Sequence, residues 1–293
     1  MRFFGKYPSR KKINGARRSV VLLGGALGDC VLSLTLVHEL RNRGPVCMLT
    51  RDAYFPIIKG IELDLEIHSI DSSKTASLFS KPDLFWQPVF TGSSVYNFLN
   101  DREGRLQTNL QQLGAANYCQ LPSHPEQPPH IVEQMFTQAR LPYPAGALET
   151  AMLGQLRNKP GSHYWIHPGS GSPAKNAPME CLRQTYESDP RRLPILASFG
   201  EADHDLVPCF QKVFAGLDFK ILKPLNIAVL LHELAEKAAI FLGNDSGPAH
   251  LAAALGLPTT VIYRSTNPLI WKPVGLEVTV RSVKCSDWNE KPD

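Results

Sequence analysis

The stretch from Phe241 to Tyr263 constrains the chain most. Residues 238–242 are a short apolar run, fit for a buried parallel strand. Gly243-Asn244-Asp245-Ser246-Gly247 is a dense turn cluster, in which Asp245 or Ser246 can cap the helix that follows. That helix runs through His250 to Leu255 and is stopped by Gly256 and Pro258. Residues 259–263 are β-branched and aromatic, as in a further strand. A polar turn that leads from a parallel strand into a helix N-terminus is where open α/β sheets take up anions and nucleotides.

The same alternation runs through the rest of the chain. Strands are expected at 19–23, 46–50, 65–70 and 83–90, with helices at 29–41, 53–59 and 74–80. Residues 91–120 are expected to be helical, and 131–139 a helix. Pro/Gly-rich segments at 141–146 and 158–161 interrupt the pattern, which then starts afresh. Further strands are expected at 164–167, 193–199, 219–222 and 277–282, and helices at 179–187, 203–215 and 227–237. This alternation predicts an α/β protein of two Rossmann-like, doubly wound domains, residues 19–150 and 151–293, behind an arm of residues 1–18. A hinge between two such halves leaves a cleft between facing loops, a preferred place for ligands.

Charge and cysteine narrow the setting. Arg2, Lys6, Arg10, Lys11, Lys12, Arg17 and Arg18 fall in the first 18 residues with no acid among them, so a net charge of +4 leaves the remainder net negative. Such an arm suits an anionic membrane face; a solvated terminus is the plainer account of it. A basic start before residues 20–27 imitates a secretory signal ending at Cys30. Asp29 beside that cysteine is a poor cleavage context, and the apolar pattern continues past it as an amphipathic helix. The expectation is a cytoplasmic protein without a transmembrane segment, peripheral at the inner face of the cytoplasmic membrane if the arm binds it. Cys30, Cys47, Cys119, Cys181, Cys209 and Cys285 are scattered without a CxxC pair, as free thiols in a reducing compartment would be. No metal-ligating set, cofactor motif or nucleic-acid footprint stands out.

Four places carry chemistry. Gly25-Ala-Leu-Gly28-Asp29 follows the first expected strand, but Ala26 and Asp29 stand where a dinucleotide fingerprint needs glycines. Thr50-Arg51 also stands where a ribose-binding acid would, which argues against a nicotinamide dehydrogenase. Asp29 opens a helix at the cleft-facing end of the first strand, where an N-cap carboxylate is favourable, and Gly25 and Gly28 would let a ligand approach the backbone. His167-Pro-Gly-Ser170-Gly-Ser-Pro-Ala-Lys175 can cradle phosphate with backbone N–H groups, hydroxyls and a lysine, although it is not a Walker loop. Glu201, at the end of another strand, can accept bonds from a ribose or base. In Asp245-Ser246-Gly247-Pro-Ala-His250, Ser246 and His250 share a helix face near its start. No G-x-S-x-G elbow is present, so a serine hydrolase is not indicated.

In this order the motifs resemble glycosyltransferase family 9, the ADP-heptose:lipopolysaccharide heptosyltransferase family. The resemblance rests on Gly25-Ala-Leu-Gly-Asp29, His167-Pro-Gly-Ser170 with Lys175, and Gly243-Asn-Asp-Ser-Gly-Pro-Ala-His-Leu-Ala-Ala-Ala-Leu-Gly256. Thr266-Asn-Pro268, Trp271 and Pro273-Val-Gly275 continue it. It implies a GT-B fold and an inverting, metal-independent transfer without a cofactor. It places Asp29 at the family's catalytic base, and Ser170, Lys175, Glu201, Asp245, Ser246, Gly247 and His250 around the donor. The implied partners are a nucleotide-sugar donor such as ADP-heptose and a lipid-linked or lipopolysaccharide-core acceptor, with no nucleic acid. Leu34, Thr35 and Ala177 depart from the family's pattern. They motivate the alternative of a degenerate GT-B protein that binds nucleotide sugar or a partner without transfer.

Overall fold

The computed structural model describes residues 16–61, 64–224 and 226–283. Most of the basic arm, and Cys285, lie outside the described residues. The first sheet has order β3-β2-β1-β4-β5, from β1 (Ser19–Leu23), β2 (Val46–Thr50), β3 (Glu66–Ser69), β4 (Ser94–Asn97) and β5 (Asn117–Gln120). The second has order β11-β10-β9-β6-β7-β8. Its strands are β6 (His163–His167), β7 (Ile195–Ser198), β8 (Phe219–Leu222), β9 (Ala238–Asn244), β10 (Thr259–Tyr263) and β11 (Val278–Ser282). Every strand pair is parallel. The strand order reverses between β1 and β4 and between β6 and β9, and such switch points open a crevice at the carboxyl ends of the strands.

The helices of the first half are α1 (Leu27–Arg43), α2 (Phe55–Gly60), α3 (Ser73–Ala76), α4 (Gln87–Phe90), α5 (Arg105–Gln112) and α6 (Ile131–Gln138). Those of the second are α7 (Met179–Glu187), α8 (Val207–Val213), α9 (Ile227–Lys237), α10 (Gly247–Ala254) and α11 (Pro268–Trp271). β1, β2 and β7 are buried along their whole length, as strands covered on both faces must be. α10 is buried nearly all round, and its alanines let it lie close against its neighbours.

Residues 83–90 are not a strand. They form a 3-10 turn, Leu84–Trp86, followed by α4. Asp83 caps the turn by accepting from the Phe85 N–H at 2.8 Å, and Pro88 sits in the first turn of α4, where its missing N–H costs nothing. Trp86, Val89 and Phe90 are the buried residues, at helical spacing. Nor is 91–120 helical throughout: β4 and β5 flank the short α5. The Asn97 amide donates to the Leu99 carbonyl and the Tyr118 hydroxyl, which fixes the ends of those strands.

One apolar core joins the two halves. It includes Val31, Leu34 and Val37 of α1, Met135 and Phe136 of α6, Leu234 of α9 and Leu251 of α10. The chain crosses between the sheets through residues 139–162, which contain no strand. There Leu153 N–H donates to the Ala254 carbonyl at 2.8 Å, and Gly275 N–H to the Leu148 carbonyl at 2.9 Å.

Candidate active site

The site is built where α1 and α10 meet. A Cβ on Gly28 would lie 3.1 Å from His250 Cδ2, and one on Gly247 only 2.7 Å from Leu27 Cβ. Both glycines therefore serve the close approach of the two helices, and protein atoms fill the space that the sequence reading left to a ligand. The approach brings the turn after β1 beside the turn after β9.

Asp29 is the third residue of α1, because the helix begins at Leu27 rather than at Asp29. Its Oδ2 accepts from the Ala26 N–H at 2.8 Å, beside Cα of Gly25, and thus holds one free backbone donor of the helix end. Arg51 Nε donates to the Gly24 carbonyl and the Tyr54 hydroxyl to the Gly25 carbonyl, each at 2.9 Å. Burial pushes the Tyr54 hydroxyl up to about 12, so it stays a donor. Arg51 and Tyr54 were not singled out from the sequence, because their partners are carbonyls some 27 and 29 residues away.

On the second domain, Asp245 collects most of the polar contacts. Its Oδ2 accepts from Lys175 Nζ at 2.9 Å and from Thr266 Oγ1 at 2.7 Å, while Oδ1 lies 3.6 Å from His250 Nε2. Burial works against its charge, but His250, Lys175 and Thr266 more than offset that, and the carboxyl is held well below the usual carboxylate range. Ser246 stands at the N-cap position of α10 in extended conformation, yet neither its hydroxyl nor Asp245 caps the helix. Ser246 Oγ and His250 Nδ1 are buried and have no hydrogen-bond partner among the described residues. Unpaired buried polar atoms are uncommon in proteins, and two together at a helix N-terminus fit a polar ligand.

The loop after β6 lies alongside. Asn244 ties it down, donating to the Pro168 carbonyl at 2.6 Å and accepting from the Ala177 N–H at 3.1 Å. Ser170 Oγ sits 2.6 Å from the Ser172 carbonyl and 2.7 Å from Asn176 Oδ1, so its hydroxyl closes the loop on itself. Arg264 adds a second cation here, with Nη1 donating to the Asn176 carbonyl at 3.0 Å. Glu201 opens the turn after β7 and is exposed. Behind it, Asp203 is buried and accepts from the Gly200 N–H at 3.0 Å. His167 Nε2 lies 3.7 Å from Asp203, and Ser198 Oγ accepts from Trp165 and sits 3.0 Å from His167 Nδ1. Burial pushes the His167 imidazole below its ordinary range, against the pull of Asp203.

The structure thus brings Lys175, Asp245, Ser246, Gly247 and His250 together, with Gly25, Gly28 and Asp29 at the facing helix end. Ser170 lies on the adjoining loop, and Glu201 at the carboxyl end of the next strand. Asn244, Thr266 and Arg264 complete the cluster. Asn244 and Thr266 lay inside stretches already singled out, but only folding reveals what their side chains hold.

The family model for glycosyltransferase family 9 (heptosyltransferase) matches residues 166–292. Over 74 residues the chain is 31% identical to lipopolysaccharide heptosyltransferase 3 of Escherichia coli, a match covering 24% of this chain and 22% of that protein. The chain thus spans about a fifth of the length of that curated relative. Its fold is that of the glycosyl transferase family 9 structure from Veillonella parvula, with a TM-score of 0.68, 14% identity and coverage of 91% of this chain and 87% of that one. The Escherichia coli heptosyltransferase WaaC with ADP gives a TM-score of 0.63 at 14% identity, covering 91% and 93% of the two chains. The Escherichia coli ADP-heptose lps heptosyltransferase II gives 0.62 at 17%, covering 90% of each. These likenesses assign the GT-B architecture, two parallel-sheet α/β domains. Within that architecture it is the second domain, residues 166–292, that carries the sequence pattern of glycosyltransferase family 9.

Proposed function

We propose that the protein is an inverting glycosyltransferase that moves a sugar, heptose by preference, from a nucleoside diphosphate donor such as ADP-heptose to a saccharide acceptor of the lipopolysaccharide-core type. One observation carries this reading. Two buried polar atoms without a partner among the described residues, Ser246 Oγ and His250 Nδ1, lie at the α10 N-terminus beside the Lys175–Asp245 pair, next to the helix end that bears a carboxylate.

In the proposed reaction the acceptor hydroxyl attacks the anomeric carbon, and the bond to the diphosphate breaks. Asp29 takes the hydroxyl proton on the carboxylate oxygen that does not hold Ala26. The departing diphosphate gains negative charge, which Lys175 and the N-terminus of α10 stabilise. Glu201 would hold the nucleoside and Ser170 would shape the phosphate loop. These groups require no metal ion to neutralise the leaving group. The likeness to the Escherichia coli heptosyltransferase WaaC solved with ADP supports an adenosine diphosphate leaving group. An acceptor of this kind is membrane-linked, which fits a cytoplasmic enzyme held at the inner membrane face by its basic arm.

A second reading, a GT-B protein that binds nucleotide sugar or a partner without turnover, draws support from the capping bond of Asp29. That bond gives one of its two carboxylate oxygens a structural task at the helix end. One experiment separates the two. Asn at position 29 keeps an oxygen for the Ala26 N–H but cannot take a proton. With ADP-heptose and a core acceptor, Asp29→Asn should lower kcat by about 10²–10⁴-fold with donor affinity unchanged. Unchanged turnover removes Asp29 as the base. Donor binding without product from wild-type protein supports the second reading.

A further inference from the structure

We propose that Cys47, Glu66 and His68 form a binding site for a divalent cation of the zinc class, at the end of the first sheet remote from the candidate active site. Cys47 lies on β2 and the other two residues on the edge strand β3. The parallel ladder pairs Cys47 with Glu66 and Leu49 with His68. Glu66 and His68 are two apart, so both project from one face of the sheet. Cys47 shares that face, since its core partners include Trp86, whose ring meets His68 edge-on at 5.2 Å. Cys47 also aligns with Val20, near the amino end of β1, whereas the Asp29 turn follows the carboxyl end.

The donor set has the right chemistry. A thiol sulfur, an imidazole nitrogen and a carboxylate oxygen lie within 4.8 Å of one another. Thiolate with imidazole selects zinc and its late first-row neighbours over calcium or magnesium. Around a tetrahedral ion, such atoms stand roughly 3.3–3.6 Å apart, so side-chain shifts of about an ångström close the set. His68 Nε2 and Glu66 Oε1 now share a hydrogen bond of 2.8 Å, which an entering ion would replace. Arg18 Nη1 holds the other carboxylate oxygen at 3.0 Å, as an outer-shell partner that keeps Glu66 aimed at the site. Cys47 is a free, buried thiol. On binding, its proton leaves to solvent as the metal–sulfur bond forms, with no change of oxidation state. Glu66 is exposed enough to leave the fourth position to water. Phe85 and Trp86 wall the site from the crossover that follows β3, and a bound ion would tie the edge strand β3 to β2.

The test uses the full chain, freed of metal with a chelator and titrated with cobalt(II) as a spectroscopic substitute for zinc. A thiolate-to-cobalt charge-transfer band should saturate at one equivalent and be lost when zinc is added. Cys47→Ser should abolish the band, and Cys119→Ser and Cys209→Ser should keep it. His68→Gln, at a partly exposed position that the fold tolerates, should weaken binding by more than about tenfold. If Cys47→Ser fails to fold, His68→Gln decides alone. No band in the wild-type protein, or a band unaffected by His68→Gln, overturns the proposal.

Discussion

Lys175 Nζ donates to Asp245 Oδ2 at 2.9 Å, across 70 residues of sequence, and so joins the loop after β6 to the end of β9. Asp245 is almost fully buried, whereas a third of the Lys175 side chain is exposed. The lysine thus neutralises a buried carboxylate with its ammonium group and still offers that group to the opening. Lys175→Ala removes both roles. Donor affinity should fall at least tenfold in a calorimetric titration with ADP. The melting temperature should drop by a few degrees, because Asp245 keeps its charge with fewer partners.

Asp245 should also set an acid limb of stability. Its folded carboxyl titrates below the ordinary 3.8, so its contribution is fully present above that value and is lost as pH falls through the folded value. Stability should therefore fall below about pH 4. In Asp245→Asn that limb should be shallower when denaturant unfolding is followed from about pH 5 down to about pH 2. An equal slope in the variant would contradict the assignment.

His130 links the halves. Its Nδ1 accepts from the Val132 N–H at 3.2 Å, capping α6, and its Nε2 therefore carries the proton given to the Lys272 carbonyl at 2.7 Å. Burial pushes its imidazole below the ordinary range, and the carbonyl bond only partly opposes this. The neutral form is thus the folded form. Its contribution is present above the ordinary value of 6.5 and is lost as pH falls from there through the folded value. His130→Ala should cost about 0.5–2 kcal/mol at neutral pH and flatten the slope just below 6.5, read by urea unfolding.

Gly247→Ala tests the helix contact itself. The new methyl would stand 2.7 Å from Leu27 Cβ, where no side-chain rotation relieves it. The two helix ends must part, at about 1–3 kcal/mol. Activity should fall further than stability alone explains, because the carboxylate and the donor groups move apart.

Ser246→Ala deletes a hydroxyl that has no partner among the described residues. It should leave the melting temperature unchanged or slightly raised, since an unsatisfied buried group is removed. Affinity for ADP should fall by about tenfold if the hydroxyl binds the diphosphate. A stability loss with unchanged affinity would assign Ser246 to the fold alone.

Much of this architecture was legible locally. The strand, turn and helix of residues 238–263 follow from β-branched runs, a turn cluster and a helix stop, and each piece folds where its own residues direct. Residues 83–90 misled because Trp86, Val89 and Phe90 suit a strand or a helix by hydrophobicity alone. Asp83 capping Phe85, with Pro88 in a first turn, decided for the helix. The capping bond of Asp29 was also foreseeable, because it spans only three residues.

The sequence by itself determined what depends on near neighbours: alternating elements, two domains, a polar turn before α10, and a family pattern in residues 166–292. Only the tertiary structure decided what each polar or small residue faces. Gly28 faces His250, Gly247 faces Leu27, and Asp245 is enclosed by Lys175 and Thr266. These partners come from distant segments. Their meeting depends on the packing of α1 against α10, and no local propensity encodes it.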